Sequence, residues 1–172
     1  MRRGTYWITP FALTVAPAPI VAQSCQPVRA AFTALAKTDR YQAVGTTMAN
    51  GKQYPTNEIY LNGTLYKGMA SQWAKASVTP AERLAADEQV GATLADCRVL
   101  RTEAVAGQAA TVYAAHEHTT DPPTKNDMQV WISNSSGLPL RVDGDASFNN
   151  GAPLHSSRTY TYGAGVKAPA GV

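Results

Sequence analysis

The sequence predicts an α+β fold in which one antiparallel sheet is accompanied by two helices. Three observations carry this. From Arg40 onward most of the chain alternates apolar and polar residues with a period of two, while two short stretches follow the helical interval instead. Two Asn-Gly dipeptides separate the first alternating runs, which is a strong hairpin signal. Thr79-Pro80-Ala81-Glu82 then interrupts the strands with the spacing of a helix capping box.

Pro27 to Lys37 places Val28, Ala31, Phe32, Leu35 and Ala36 at helical spacing, with Ser24 as a cap and Pro27 in the first turn. Tyr41 to Ala49 and Gln53 to Leu61 are strands flanking Asn50-Gly51, and Asn62-Gly63 leads into a third strand, Thr64 to Trp73. Pro80 to Thr93 is a second helix. Cys97 to Val105 and Gln108 to His118 flank a turn at Ala106-Gly107, and Thr119 to Asn126 reads as a polar loop. Met128 to Ser133, Leu138 to Ser147 and Ser157 to Gly163 complete the strands, giving helix, three strands, helix, five strands. A sheet with so few helices must hide one face by curling on itself or folding over them.

One side of these strands carries Ile59, Leu61, Leu65, Met69, Val112, Ala114, Val130, Ile132, Leu138, Leu140 and Val142. The other is expected to carry Tyr60, Tyr66, Tyr113, Trp131, Arg141, Tyr160 and Tyr162, a set too aromatic for an ordinary wet face. An outer aromatic girdle, a second small core and the lining of a groove all fit it.

At 172 residues, 44% hydrophobic and 16% charged, the chain is too short for a multidomain enzyme and too polar for a polytopic membrane protein. The net charge of +3 comes with no basic run, which argues against nucleic acid as a partner. Residues 1–22 read as a secretory signal peptide: Arg2 and Arg3, an apolar stretch from Tyr6 to Val15, and a small residue, Ala22, at the cut. The stretch is too short and too rich in proline to span a bilayer. A lipidation site at Cys25 would need an apolar and small approach, and Gln23 breaks it. Residues 23–172 then form a single exported domain of charge +1. In an oxidising compartment Cys25 and Cys97 are expected to form a disulfide.

Chemical motifs are sparse. His116 and His118 share one side of a strand and, with Asp121, make an incomplete metal site; a solvated strand end accounts for them as well. No Gly-x-Ser-x-Gly elbow accompanies the three histidines. Gly163-Ala164-Gly165 lacks the third glycine and the helix of a nucleotide loop, and Asp143 and Asp145 beside Gly144 mark a bulge or turn rather than a glycosidase pair. A domain with many tyrosines and no polar reaction centre suits a concave apolar binding surface, and no cofactor is called for.

The passage Val130-Trp131-Ile132-Ser133-Asn134-Ser135-Ser136-Gly137-Leu138-Pro139-Leu140-Arg141-Val142 resembles a hairpin of the outer-membrane lipoprotein-sorting (LolA/LolB-like) superfamily of periplasmic proteins, and Tyr160-x-Tyr162-Gly163 is similar to its closing strand. The resemblance implies a strongly curved half-barrel with an N-terminal and an inserted helix capping its concave face. It further implies a periplasmic or secreted, non-catalytic monomer that holds an acyl chain, a lipid or a lipoprotein in an apolar cavity, with envelope proteins as further partners. Phe32, Met48, Tyr60, Tyr66, Met69, Trp73, Leu84, Trp131 and Leu140 are the expected lining. The alternatives are a secreted metal-dependent hydrolase using His116 and His118, and an envelope structural or interaction domain.

Overall fold

The computed structural model describes residues 24–69, 72–120, 122–149 and 151–170; the expected leader, residues 1–22, lies outside the described residues, as does Asp121. The elements are α1 (Gln26–Ala36), β1 (Arg40–Ala49), β2 (Lys52–Leu61), β3 (Thr64–Met69), β4 (Gln72–Ser77), α2 (Pro80–Thr93), β5 (Leu94–Val105), β6 (Gln108–Thr120), β7 (Pro123–Ser133), β8 (Pro139–Phe148) and β9 (Leu154–Tyr162). The strands form one antiparallel sheet in the order β4-β3-β2-β1-β9-β8-β7-β6-β5. The sheet does not close. Its two edge strands, β4 and β5, are consecutive in the chain and are joined through α2, so the architecture is a curved half-barrel with helices over its inner face. No helix among the described residues is long and apolar enough to cross a membrane.

Local chemistry explains most boundaries. Asn50-Gly51, Asn62-Gly63 and Ala106-Gly107 all have positive φ at both positions, the backbone of a two-residue hairpin whose twist matches that of the strands. α2 begins with the expected box: the Glu82 amide donates to Thr79 Oγ1 at 3.2 Å, and the Thr79 amide donates to Glu82 Oε2 at 2.7 Å. At α1, Cys25 is the capping residue, and the Ser24 hydroxyl accepts from the Gln26 amide instead.

Four expectations are corrected. Thr64 to Trp73 is not one strand, because Met69 pairs with Gln72 and the chain folds back as β3 and β4. The indole of Trp73 lies over Gly68, where an added Cβ would come to 3.0 Å from the ring, so the glycine leaves the indole room to pack there. Thr119 to Asn126 is not a polar loop; the ladder runs on through His118 with Lys125 and Thr119 with Thr124 to Thr120 with Pro123, and the proline is tolerated as a first strand residue. Gly144 is no bulge, since it pairs in register with Met128 and Ser156, whereas the ladder slips at Leu140, between Trp131 with Arg141 and Ile132 with Pro139.

The fourth concerns the faces. Cross-strand partners share a face, and Ile59 pairs with Tyr66, Tyr60 with Leu65, Val112 with Trp131 and Tyr113 with Val130. Alternation within each strand therefore holds, but the aromatic and aliphatic sets are mixed between faces. On the helix side, Val28 and Ala31 of α1 pack with Leu94, Ala115, Met128, Val130 and Ile132, while Leu35 packs with Tyr41, Ala43 and Tyr60. On the outer side, Ala110, Val112, Trp131 and Leu140 form a second small cluster. Trp131 is covered there by Arg141 and Arg101, at 4.9 and 5.5 Å from its ring, and its indole N–H donates to Glu103.

Two links hold the helices to the sheet. Cys25 at the start of α1 is disulfide-bonded to Cys97 of β5, which is buried and turned inward where the β5 ladder slips at Asp96, a residue with φ of 50°. Arg83 of α2 donates to the carbonyls of Leu35 and Thr38 at 2.7 and 3.1 Å, supplying partners for the C-terminal end of α1, which has no basic residue of its own. The same guanidinium lies 3.8 Å from the ring centre of Tyr60 and 5.0 Å from that of Tyr41.

Arg83→Met is expected to lower unfolding stability by about 3 kcal/mol, because a buried and a half-buried carbonyl lose a charged donor and two rings lose a cation; urea denaturation measures the loss, and hydrogen exchange should show residues 80–93 opening first. Reducing the Cys25–Cys97 disulfide, which closes a separation of 72 residues, is expected to cost roughly 4 kcal/mol, read from denaturation midpoints with and without reductant.

Candidate functional site

Between the helices and β7 to β9 lies an open cleft of about 470 Å³. Phe32 of α1 and Val90 of α2 form its roof, and Met128, Val142, Ala146, Leu154 and Tyr160 form most of its floor. Gly144 lies in the middle of that floor. A Cβ there would come 3.0 Å from Asn126 Oδ1 and 3.5 Å from Met128 Cβ, so its absence leaves the depth. Phe148 and Val90, 54% and 37% exposed, leave apolar surface at the mouth. Asp87, Glu117 and Arg158 supply charge around an otherwise largely apolar wall.

Tyrosines line the path from this cleft towards β2, Tyr41 and Tyr60 buried and Tyr160 and Tyr162 half-buried. Tyr41 stacks near Tyr60 at a centroid distance of 6.0 Å and lies tilted against Tyr160 at 6.1 Å, and Tyr160 stacks near Tyr162 at 6.4 Å. Burial pushes the Tyr160 hydroxyl up to about 12, with Arg158 pulling the other way. Tyr41 is raised further, by burial and then by Glu58, whose carboxylate accepts its proton at 2.6 Å. Burial also raises Tyr162, which donates to the Pro139 carbonyl. All three are neutral near pH 7 and act as apolar walls with a single donor each.

Of the nine residues expected to line a cavity, Phe32 lines this cleft and Met69 lines a smaller neighbouring one. Tyr60 is buried on the same face beneath Arg83. Leu84 is half-buried on α2, one position away from the stripe Arg83, Asp87 and Val90 that faces the sheet. The register puts Met48, Tyr66, Trp73, Trp131 and Leu140 elsewhere: Met48 is 45% exposed and pairs with Gln53 and His155 on the outer face, Tyr66 pairs with Ile59, Trp73 covers Gly68, and Trp131 and Leu140 belong to the outer cluster.

His116 and His118 also fall on the outer face, opposite Ala115. His116 Nδ1 meets Asp127 Oδ1 across the ladder, and His118 pairs with Lys125. Among the described residues no group of three His, Cys, Asp or Glu side chains could hold a metal ion. Sequence reasoning missed Asp87, Val142, Phe148, Leu154 and Arg158. For α2 the signal was present, as the i, i+4, i+7 spacing of Arg83, Asp87 and Val90; for the strand residues only pairing reveals the face.

Burial pushes the Asp87 carboxyl from 3.8 to about 6, helped by Glu58 and opposed by Arg83. Between these values the folded state keeps a proton that the unfolded chain has released, so this group favours folding at low pH and the advantage is lost as pH rises through about 6. Asp87→Asn should therefore gain stability over the native chain as pH goes from 4 to 7, checked by denaturation midpoints across that range.

No protein-family model matches this sequence, and no curated protein matches it in sequence. Solved structures do match in shape. The Mycobacterium tuberculosis lipoprotein LppX superposes with a TM-score of 0.53 at 10% identity, covering 79% of this chain and 92% of its own. LprF from Mycobacterium bovis gives 0.50 at 12% identity, covering 85% and 96%. At such identity the likeness is one of fold: the chain shares with these proteins an unclosed antiparallel half-barrel.

Proposed function

We propose that this protein binds an acyl chain, carried by a lipid or a lipoprotein, in the cleft beneath α1 and α2, and that it does so without catalysis. The observation that carries the reading is the cleft itself: about 470 Å³, within the roughly 300–1,000 Å³ of ligand sites, walled by Phe32, Val90, Met128, Val142, Leu154 and Tyr160 and open at its mouth. Each buried methylene of a chain contributes about 0.8 kcal/mol, so a partly enclosed apolar groove extracts an amphiphile without any reacting group. The half-barrel fold shared with the lipoprotein LppX supports an envelope or extracellular location. So does the Cys25–Cys97 bond, which persists in an oxidising compartment. Residues 1–22 serve as the export signal and 23–172 as the binding domain, acting as a monomer, with envelope proteins as exchange partners. A hydrolase centred on His116 and His118 is not favoured, since His116 is engaged by Asp127 on the face away from the cleft.

Native mass spectrometry of the disulfide-intact protein mixed with lauric acid or monolauroylglycerol tests this. One-to-one complexes are expected, weakened roughly tenfold or more in Ala146→Trp, whose indole would occupy the floor of the cleft. Absence of a complex with both probes would overturn the proposal.

A further inference from the structure

Arg158 lines both the large cleft and a second one of about 220 Å³ between β9, β1, β2 and β3. The ladder explains the space. Met69, Thr56, Gly45 and Arg158 are successive partners across β3, β2, β1 and β9, so they form one row on the inner face. Gly45 must be glycine, because a Cβ would fall 1.9 Å from the Ser157 carbonyl oxygen of β9, and hence no side chain stands between Thr56 and Arg158.

One polar group in this space lacks a partner, and two cations stand beside it. Thr56 Oγ1 is enclosed and has no hydrogen-bond partner among the described residues, a condition that native proteins rarely leave uncompensated. Arg158, exposed at the edge of this space and interacting with the Tyr160 hydroxyl, makes no ion pair among the described residues. Lys67, one row along and largely exposed, lies 4.0 Å from Glu58, whose other oxygen already accepts from Tyr41. Two cations and a free hydroxyl thus converge on a site whose one lining carboxylate is engaged.

We propose that this smaller cleft receives the anionic headgroup, a phosphate or carboxylate, of an amphiphile whose chain occupies the larger cleft; the assignment rests on the acyl-binding reading above. Arg158 grips two oxygens of the headgroup, the Thr56 hydroxyl donates to one, and Lys67 adds charge from the rim.

Calorimetric titration of the intact protein with lauroyl lysophosphatidic acid, with monolauroylglycerol and with inorganic phosphate tests it. The phosphate-bearing amphiphile is expected to bind roughly ten- to a hundredfold more tightly than the neutral one, the range for hydrogen bonds to a charged group. Arg158→Gln and Thr56→Val should each reduce that ratio about tenfold or more; Thr56→Val removes an unpaired hydroxyl without changing shape and so keeps the test open should Arg158→Gln fail to fold. Equal affinity for the two amphiphiles, or a ratio that both variants leave intact, would overturn the headgroup site while leaving acyl binding standing. Inorganic phosphate binding as tightly as the amphiphile would overturn it too, by assigning the cleft to a free anion. Binding of neither amphiphile would overturn both proposals.

Discussion

The placement of α2 depends on one guanidinium. An unclosed nine-stranded sheet needs a cover for its inner face, yet α2 is a polar helix whose buried residues are Arg83 and Gly91. Arg83 docks it by donating to two carbonyls at the end of α1 while lying on the rings of Tyr60 and Tyr41. Gly91 lies against the stem of Arg29, which itself donates to the Leu94 carbonyl at 3.1 Å where β5 begins. Polar anchoring of this kind fixes position without filling the interior. The cleft persists because the helix is held from one end by hydrogen bonds rather than drawn down along its length by apolar burial.

The disulfide serves the opposite end of the cover. It ties the start of α1 to β5, an edge strand, while Arg83 joins the end of α1 to α2. Helix α1 is thus fixed at both ends, and its apolar face, Val28, Ala31 and Leu35, packs on strands from both halves of the sheet. What remains uncovered lies over β8 and β9, where Gly144 and Ala146 keep the floor low and Arg158 lines both this cleft and its smaller neighbour. Small residues on the floor and a short, anchored roof are two halves of one design for an open site.

Much of the fold was legible because it rests on local chemistry. Both helices, three hairpin turns and the cap of α2 follow from residues within four positions of one another, and the cysteine pair was readable from compartment and parity. The missed hairpin between β3 and β4 has no Asn-Gly, only a glycine that a distant-looking tryptophan covers. Likewise, the turn before Pro123 was hidden by polar residues that pair perfectly well in a ladder. The site was far less legible: of the expected lining only Phe32 reached the main cleft, and Arg158 and Asp87 passed unnoticed.

The sequence by itself determined periodicity, turns and the existence of one antiparallel sheet, because these follow from backbone preferences and from the alternation of each strand. Only the tertiary structure decided which alternating set of one strand shares a face with which set of the next. A shift of one residue in register exchanges the faces, so the slip at Leu140 and the pairing of Gly45 with Arg158 determine where side chains go, and no local signal encodes either. An aromatic set expected on a single face divides into a tyrosine wall beside the cleft and a cluster around Trp131 on the opposite side for that reason.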